Sequence, residues 1–260
     1  MASKIYSIAN QKGGVGKSTT TLNVSFALSD LGKRVLMVDL DPQAGLTISL
    51  GNDPETFSLT SYSLLRNNDV TAKDVILETS INNNLHFIPS NLDLSGAEVE
   101  LISGPAWGST LKYALEPIMN DYEYIFIDCP PSLGVLTVNG LIASNTVIVP
   151  VQAEYLAMRG LKLLIDIVKD LKKKANHTLE MKILRTMHTN TLHSAEVTGE
   201  LKTHFGNTVF ETIIKRSIKF ADSTIAGKPI IIYAKDSDGS IAYRNLAQEI
   251  LEYDKQKTNP

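Results

Sequence analysis

The sequence has few of the residues on which several classes of protein depend. Its 260 residues include one cysteine, which excludes an internal disulfide framework and any metal site built on several thiolates. The five histidines lack the spacing of metal ligands, so a histidine-based metal site is disfavoured. No apolar run approaches the ~20 residues needed to cross a bilayer, and the first residues lack a charged-then-apolar targeting pattern. These absences predict a soluble, cytoplasmic protein that does not bind membranes.

The sequence also lacks a large excess of either charge, because its net charge is only −3. This value argues against a protein that coats nucleic acid through bulk charge. The distribution is uneven: residues 1–150 hold 8 basic and 15 acidic side chains (−7), whereas residues 151–260 hold 17 and 13 (+4). The basic excess permits a DNA-binding face in the second half. A solvated helix surface, as in Lys172-Lys173-Lys174, accounts for it equally well.

A glycine-rich stretch at residues 10–19 is the most informative part of the chain. It reads Asn-Gln-Lys-Gly-Gly-Val-Gly-Lys-Ser-Thr and lies between an apolar alternating run at 5–9 and a helix-like run from Thr20. Glycines in this context let backbone N–H groups surround phosphate oxygens, and a lysine at the helix N-terminus neutralises the outer phosphates. The alternative is a glycine-rich turn with incidental lysines. As a phosphate loop, it predicts a nucleotide site formed by Gly13, Gly14, Val15, Gly16, Lys17, Ser18 and Thr19, with Ser18 offering its hydroxyl to Mg²⁺.

Carboxylates follow two buried strand patterns. Asp39 and Asp41 end a strand predicted at 34–38, and Asp128 ends a strand predicted at 123–128. Open α/β sheets place their ligands at such carboxyl ends, although Asp39 and Asp41 could instead cap the next helix or turn. An aspartate at the end of a strand beside the phosphate-loop strand can hold Mg²⁺ through a water, which is the role predicted for Asp128. Pro130 and Pro131 stiffen the loop that follows.

The segment Lys-Gly-Gly-Val-Gly-Lys-Ser-Thr (12–19) resembles the deviant Walker A motif of the ParA/MinD superfamily of P-loop ATPases. The common phosphate-loop pattern has glycine six residues before the lysine, where this chain has Gln11. Further segments occur in the order of that superfamily: Asp-Leu-Asp-Pro-Gln (39–43), Asp-Cys-Pro-Pro (128–131), Gln-Ala-Glu-Tyr (152–155) and Gly-Lys-Pro (227–229). The resemblance spans essentially the whole chain and is closest to ParA (Soj-like) partition ATPases.

The resemblance implies a role for each matching residue. Lys12 would reach the nucleotide of the other subunit, Lys17 would serve its own, and Asp41 would position the attacking water. Asp39 would support Mg²⁺ together with Ser18 and Asp128. The loop at Pro130 would sense the γ-phosphate, and the nucleotide would be contacted by Met187, Ile214 and Arg216.

The same resemblance implies DNA contacts by Lys219 and Lys228, for which a merely solvated surface is an equally strong alternative. Three departures from the family bear on the details. Lys215 replaces a proline, residues 187–190 lack the arginines of many relatives, and Arg159 stands where the dimer face usually carries an acidic residue. The strength of DNA binding and the details of the dimer interface depend on these departures.

Four functional classes fit such a phosphate loop. The leading one is a ParA-type partition ATPase: a Mg²⁺-dependent, ATP-bound homodimer that binds nonspecific DNA on the nucleoid. Its weak hydrolysis of ATP to ADP would be stimulated by a ParB-like or other adaptor protein, so that plasmid, chromosome or other cargo is segregated or positioned. A MinD-like membrane-cycling ATPase needs a basic amphipathic C-terminal helix, which this tail lacks. A redox protein of the nitrogenase iron-protein type needs more cysteines, and a tyrosine kinase needs a clustered tyrosine tail.

The alternation of strand and helix patterns predicts an α/β fold with a doubly wound, mostly parallel sheet and helices on both faces. A single domain over residues 1–260 is expected, with residues 254–260 as a polar tail. Further strands are predicted at 85–89, 146–151, 181–184 and 209–214. Helices are predicted at 20–31, 61–65, 72–77, 195–205 and 240–253, with one opening at 93 and a long one ending near 174. Residues 44–84 otherwise show little periodicity.

Overall fold

A computed structural model of the chain describes residues 3–67, 69–104, 106–152, 157–189 and 191–258. Within these ranges, eight strands form one sheet. They are β1 (Lys4–Ile8), β2 (Val35–Asp39), β3 (Leu77–Glu78), β4 (Leu85–Ile88), β5 (Tyr124–Asp128), β6 (Thr146–Gln152), β7 (Glu180–His188) and β8 (Val209–Lys215).

The strand order is β3-β4-β2-β5-β1-β6-β7-β8. The short β3 pairs antiparallel with β4, and the other strand pairs are parallel. The phosphate-loop strand β1 therefore lies centrally, between β5 and β6. The carboxyl ends of β1, β2 and β5 meet at one edge of the sheet, where the candidate site lies.

Helices connect the strands and cover the sheet. They are α1 (Lys17–Asp30), α2 (Gly45–Ser49), α3 (Ser61–Arg66), α4 (Ala72–Val75), α5 (Leu94–Ile102), α6 (Thr110–Leu115), α7 (Val135–Ala143), α8 (Ala157–Lys174), α9 (Leu192–Phe205), α10 (Lys219–Ile225), α11 (Ile230–Tyr233) and α12 (Asp238–Thr258). Among the residues described, none of these helices combines the length and apolar character needed to span a bilayer.

The hydrophobic core has two halves, one on each face of the sheet. Because side chains alternate along a strand, Tyr6 packs with α1, α11 and α12, whereas Ile5 packs on the opposite face with α5 to α9. Central strands such as β2 and β5 are buried at every position. This burial on both faces is the reason that these strands are continuous apolar runs. The predicted doubly wound α/β fold is confirmed.

Several elements differ from the sequence prediction. The helix predicted at 72–77 ends at Val75, and Leu77 belongs to β3 instead. The last helix continues to Thr258, so most of the tail predicted at 254–260 is helical. Asp254 is buried in that helix and accepts a hydrogen bond from the Tyr6 hydroxyl at 2.8 Å. The tail therefore packs on the sheet through a polar contact, which the pattern of apolar residues could not predict.

Candidate active site

The glycine-rich segment forms a loop between β1 and α1. Gly14 and Gly16 have φ angles of 71° and 91°, which side chains with a Cβ rarely adopt. The loop is held from outside, since the Thr186 hydroxyl donates to the Val15 carbonyl at 2.9 Å. The Asn10 side-chain amide donates to the Pro150 carbonyl at 2.7 Å, and its oxygen accepts from the Lys12 N–H at 2.9 Å. These contacts fix the loop between β1, β6 and β7.

The two lysines of the loop differ in exposure. Lys17 is the first residue of α1 and is 7% exposed. Lys12 is exposed, and its Nζ donates to Gln152 Oε1 at 3.0 Å. Residues 153–156, which complete the Gln-Ala-Glu-Tyr segment, lie outside the described residues, as does the side chain of Arg159. One lysine is thus part of the folded site and the other lies at its surface.

Asp39 and Asp128 lie directly opposite each other on the neighbouring strands β2 and β5. Both side chains are completely buried. Burial, partly offset by hydrogen bonds from Thr47 and Asp41, raises the pKa of Asp39 to about 7. Burial and the charge of Asp39 raise the pKa of Asp128 well above its usual range, and the neighbouring Ser18 hydroxyl and Lys17 ammonium oppose this shift. A nearby cation would relieve the cost of ionising both carboxylates.

Asp39 is held by several donors. Its Oδ2 accepts from the Thr47 backbone N–H at 2.9 Å and from the Thr47 hydroxyl at 2.7 Å, and its Oδ1 accepts from the Asp41 N–H at 3.2 Å. Asp41 is also buried, and its carboxylate accepts from the Gln43 N–H at 3.0 Å. The segment after β2 is therefore folded around these two carboxylates rather than extending into solvent.

The residues predicted to hold Mg²⁺ are chemically suited to it. Asp128 Oδ1 accepts from the Thr21 hydroxyl at 3.3 Å, whereas Oδ2 is buried with no hydrogen-bond partner within the described ranges. An unsatisfied buried carboxylate oxygen beside Ser18 fits a hydrated cation. The described residues contain no cluster of three or more acidic, histidine or cysteine side chains arranged to bind a metal alone. Such a site would need further oxygen ligands from a bound phosphate.

A cavity of about 310 Å³ adjoins the phosphate loop. Its wall includes Met187, whose φ of 50° is unusual for a residue with a long side chain, at an irregularity in the pairing of β7 with β8. Predicted residues that line the cavity are Val15, Gly16, Thr19, Met187, Ile214 and Arg216. Sequence reasoning did not identify the remaining residues of the wall, which are Thr186, Lys215, Ser217, Phe220, Ala221, Thr224 and Tyr243.

Other predicted residues lie around this cavity rather than in its wall. Gly13 and Gly14 are exposed on the loop, and a Cβ on Gly13 would lie 4.0 Å from Pro131 Cβ. Pro130 is buried after β5. The missed residues Gly45 and Thr47 belong to α2 and lie against the predicted site, since a Cβ on Gly45 would be 3.1 Å from Ser18 Oγ. The weak periodicity of residues 44–84 gave no reason to expect them.

Lys219 is exposed at the start of α10, and Lys228 is exposed in the segment that follows this helix. Lys219 lines a second cavity of about 320 Å³ with Asp236 and Asp238, and it does not line the cavity beside the phosphate loop. Lys215, which replaces the family's proline, forms an ion pair with Asp238 at 3.0 Å. This part of the surface is therefore mixed in charge.

Comparisons with known proteins agree with this geometry. The AAA_31 family model, described as an AAA domain, matches residues 3–181. The sporulation initiation inhibitor protein Soj of Bacillus subtilis is 41% identical, over 95% of this chain and 98% of Soj. Among solved structures, cobyrinic acid a,c-diamide synthase of Mycobacterium smegmatis with bound ADP and magnesium has a TM-score of 0.86 and 36% identity, covering 97% of this chain and 96% of that one. A plasmid partition protein of Borrelia burgdorferi has a TM-score of 0.79 and 28% identity, covering 97% of this chain and all of that one. The chain belongs to the ParA/Soj family of partition ATPases, within the AAA-domain proteins.

Proposed function

We propose that this protein hydrolyses ATP in a Mg²⁺-dependent sandwich dimer that binds nonspecific DNA and is released when a partner stimulates hydrolysis. The cycle would segregate or position a plasmid, a chromosome or another cargo. The observation that carries the proposal is the continuity of the phosphate loop with the 310 Å³ cavity, because Val15, Gly16 and Thr19 belong to both. A nucleoside triphosphate whose phosphates bind the loop would extend its base into this largely apolar cavity.

The proposed chemistry is an in-line attack of water on the γ-phosphate. Backbone N–H groups of the loop and the Lys17 ammonium would stabilise negative charge on the phosphates. Asp41 would orient the attacking water. Mg²⁺, held by Ser18 and through water by Asp39 and Asp128, would neutralise charge between the phosphate oxygens. The ADP and magnesium bound to the Mycobacterium smegmatis relative support this choice of cofactors.

The exposure of Lys12 supports a dimer in which this side chain acts on the partner's nucleotide. A lysine that served its own phosphates would be expected to lie within the folded site, as Lys17 does. Lys12 instead lies at the surface, next to Gln152 at the end of β6. ATP would then link the two subunits, and hydrolysis would separate them.

Two exposed lysines and the relatives support the steps that involve DNA and a partner. Lys219 and Lys228 are free to approach phosphates from solvent, which suits binding without sequence preference. Soj and chromosome partitioning protein ParA of Caulobacter vibrioides, 37% identical over 98% of this chain, support a role in partition. The partner would be a ParB-like or other adaptor protein that accelerates hydrolysis.

The test is ATP turnover with and without nonspecific duplex DNA, alongside measurement of particle mass in ATP and in ADP. We expect a dimer in ATP, a monomer in ADP, and slow turnover. A chain that remains monomeric in ATP, or that does not hydrolyse it under any of these conditions, would reject the proposal.

A further inference from the structure

We propose that Thr47 is a positioning residue, which orients the Asp39 carboxylate toward the Mg²⁺ that accompanies the nucleotide. The inference rests on the proposed function, since it concerns the same site. Thr47 is completely buried on α2, a helix that the sequence did not predict. Its N–H and its hydroxyl both donate to Asp39, so its effect would be exerted through that carboxylate.

The geometry around Thr47 fixes one oxygen of Asp39. The backbone N–H and the hydroxyl of Thr47 both donate to Asp39 Oδ2, at 2.9 and 2.7 Å. The hydroxyl oxygen also accepts from the Ser90 N–H at 3.1 Å. Because the Ser90 N–H occupies the acceptor side of the Thr47 hydroxyl, the hydroxyl proton is directed at Asp39. Two donors on Oδ2 leave Oδ1, which has a single and longer bond from the Asp41 N–H at 3.2 Å, as the oxygen available for a water of the cation.

The helix that carries Thr47 also contacts the other side of the cation site. A Cβ on Gly45 would lie 3.1 Å from Ser18 Oγ, so the absence of a side chain at Gly45 lets α2 approach Ser18 closely. The preceding Ala44 has a φ of 52°, and its N–H donates to the Asp41 carbonyl at 2.8 Å. The strained turn therefore places α2 against both Ser18 and Asp39. Outer-shell hydrogen bonds of this kind typically contribute 10- to 100-fold to metal affinity.

The test compares Thr47→Val, which keeps the shape but removes the hydroxyl, with Thr47→Ser, which keeps it. Binding of ADP is measured by calorimetry as Mg²⁺ is titrated, and again in EDTA. We expect Thr47→Val to raise the half-saturating Mg²⁺ concentration about tenfold. Thr47→Ser should stay within about twofold of the wild type, and ADP binding in EDTA should be unchanged in both. Thr79→Val is the matched control, because its buried hydroxyl donates to the Leu85 carbonyl at 2.8 Å beside the edge strand β3.

The outcomes separate this inference from the proposed function. Mg²⁺-dependent ADP binding by the wild type with an unchanged Mg²⁺ requirement in Thr47→Val would overturn the role of Thr47 alone. Equal losses in Thr47→Val and Thr47→Ser, or an equal loss in EDTA, would also overturn it, since either would indicate a general disturbance of the pocket. Absence of Mg²⁺-dependent nucleotide binding in the wild type would overturn the proposed function as well.

Discussion

Asp39 and Asp128 face each other across neighbouring parallel strands, and both are completely buried. Two neighbouring carboxylates that are both shielded from solvent are costly to ionise together. The raised pKa of each follows from that burial and, for Asp128, from the charge of Asp39. The arrangement lowers the stability of the protein at neutral pH, and it also creates a site that favours a cation.

The pair gives a prediction for stability against pH. The pKa of Asp39 is about 7 in the folded protein, against 3.8 for an ordinary aspartate, so the folded state binds the proton more tightly. Its contribution to stability is therefore complete below about pH 4 and is lost as the pH rises through about 7. Asp39→Asn should remove this loss. The melting temperature of the variant minus that of the wild type should therefore increase by roughly 3–8 °C from pH 5 to pH 8. The measurement is thermal unfolding without nucleotide.

The exposed Asp170, which pairs with Lys174 on α8, provides the control. Asp170→Asn should leave the pH dependence unchanged. Parallel curves for the wild type and Asp39→Asn would contradict the raised pKa of Asp39.

Sequence reasoning placed Asp39 and Asp128 at strand ends, where the structure has them, because strand-end patterns are local. Asp39 and Asp128 each follow a continuous apolar run, and parallel strands end at the same edge of a sheet. Thr47 could not be found in this way, because its proposed role depends on the conformation of residues 44–50. No hydrophobic periodicity in the sequence predicts that conformation. The same limitation applies to α7, whose nine residues Val-Leu-Thr-Val-Asn-Gly-Leu-Ile-Ala are mostly buried and lack a polar face. The cavity also depends on Met187, whose backbone conformation cannot be read from its neighbours.

Lys12 gives a prediction for assembly. Lys12→Ala should weaken ATP-dependent dimerisation on the order of 30-fold or more, because a charge that pairs with the partner's phosphates is lost. Light scattering in ATP and in ADP measures this effect. Lys33→Ala is the control, since Lys33 lies after the C-terminal end of α1, whereas the phosphate loop precedes its N-terminal end, and Lys33 pairs with Glu123 at 2.8 Å. Dimers that persist at wild-type concentrations in Lys12→Ala would reject a role in trans.

Asp41 gives a prediction for turnover. Asp41→Ala should retain ATP and remain dimeric on DNA, while hydrolysis falls roughly 10²- to 10⁴-fold because the attacking water is no longer oriented. Single-turnover hydrolysis and DNA retention measure the two effects. Asp170→Ala should behave as the wild type in both. Normal turnover in Asp41→Ala would show that another group orients the water.

Lys219 and Lys228 give a prediction for DNA binding. Replacing both with alanine should weaken binding to any duplex sequence and reduce the slope of log affinity against log salt by ~2, one for each lost phosphate contact. The control is Lys169→Ala with Lys173→Ala on α8, which removes the same charge from another surface. An unchanged slope in the first variant, or an equal change in the control, would place the DNA-binding face elsewhere.

Gly227 gives a prediction for stability that comes from a backbone contact. A Cβ at Gly227 would lie 2.6 Å from Gly51 Cα, and its φ of 61° is unfavourable for any residue with a side chain. Gly51 lies two residues after α2, whose Thr47 donates to Asp39, and Gly227 precedes Lys228, so the contact joins the proposed cation site to the proposed DNA-binding face. Gly227→Ala should lower the free energy of unfolding by about 2 kcal/mol or more. Gly199→Ala, within α9 and with open space at its Cβ, should instead raise it by roughly 0.5–1 kcal/mol. Chemical denaturation distinguishes the two, and a neutral Gly227→Ala would mean that the two segments separate easily.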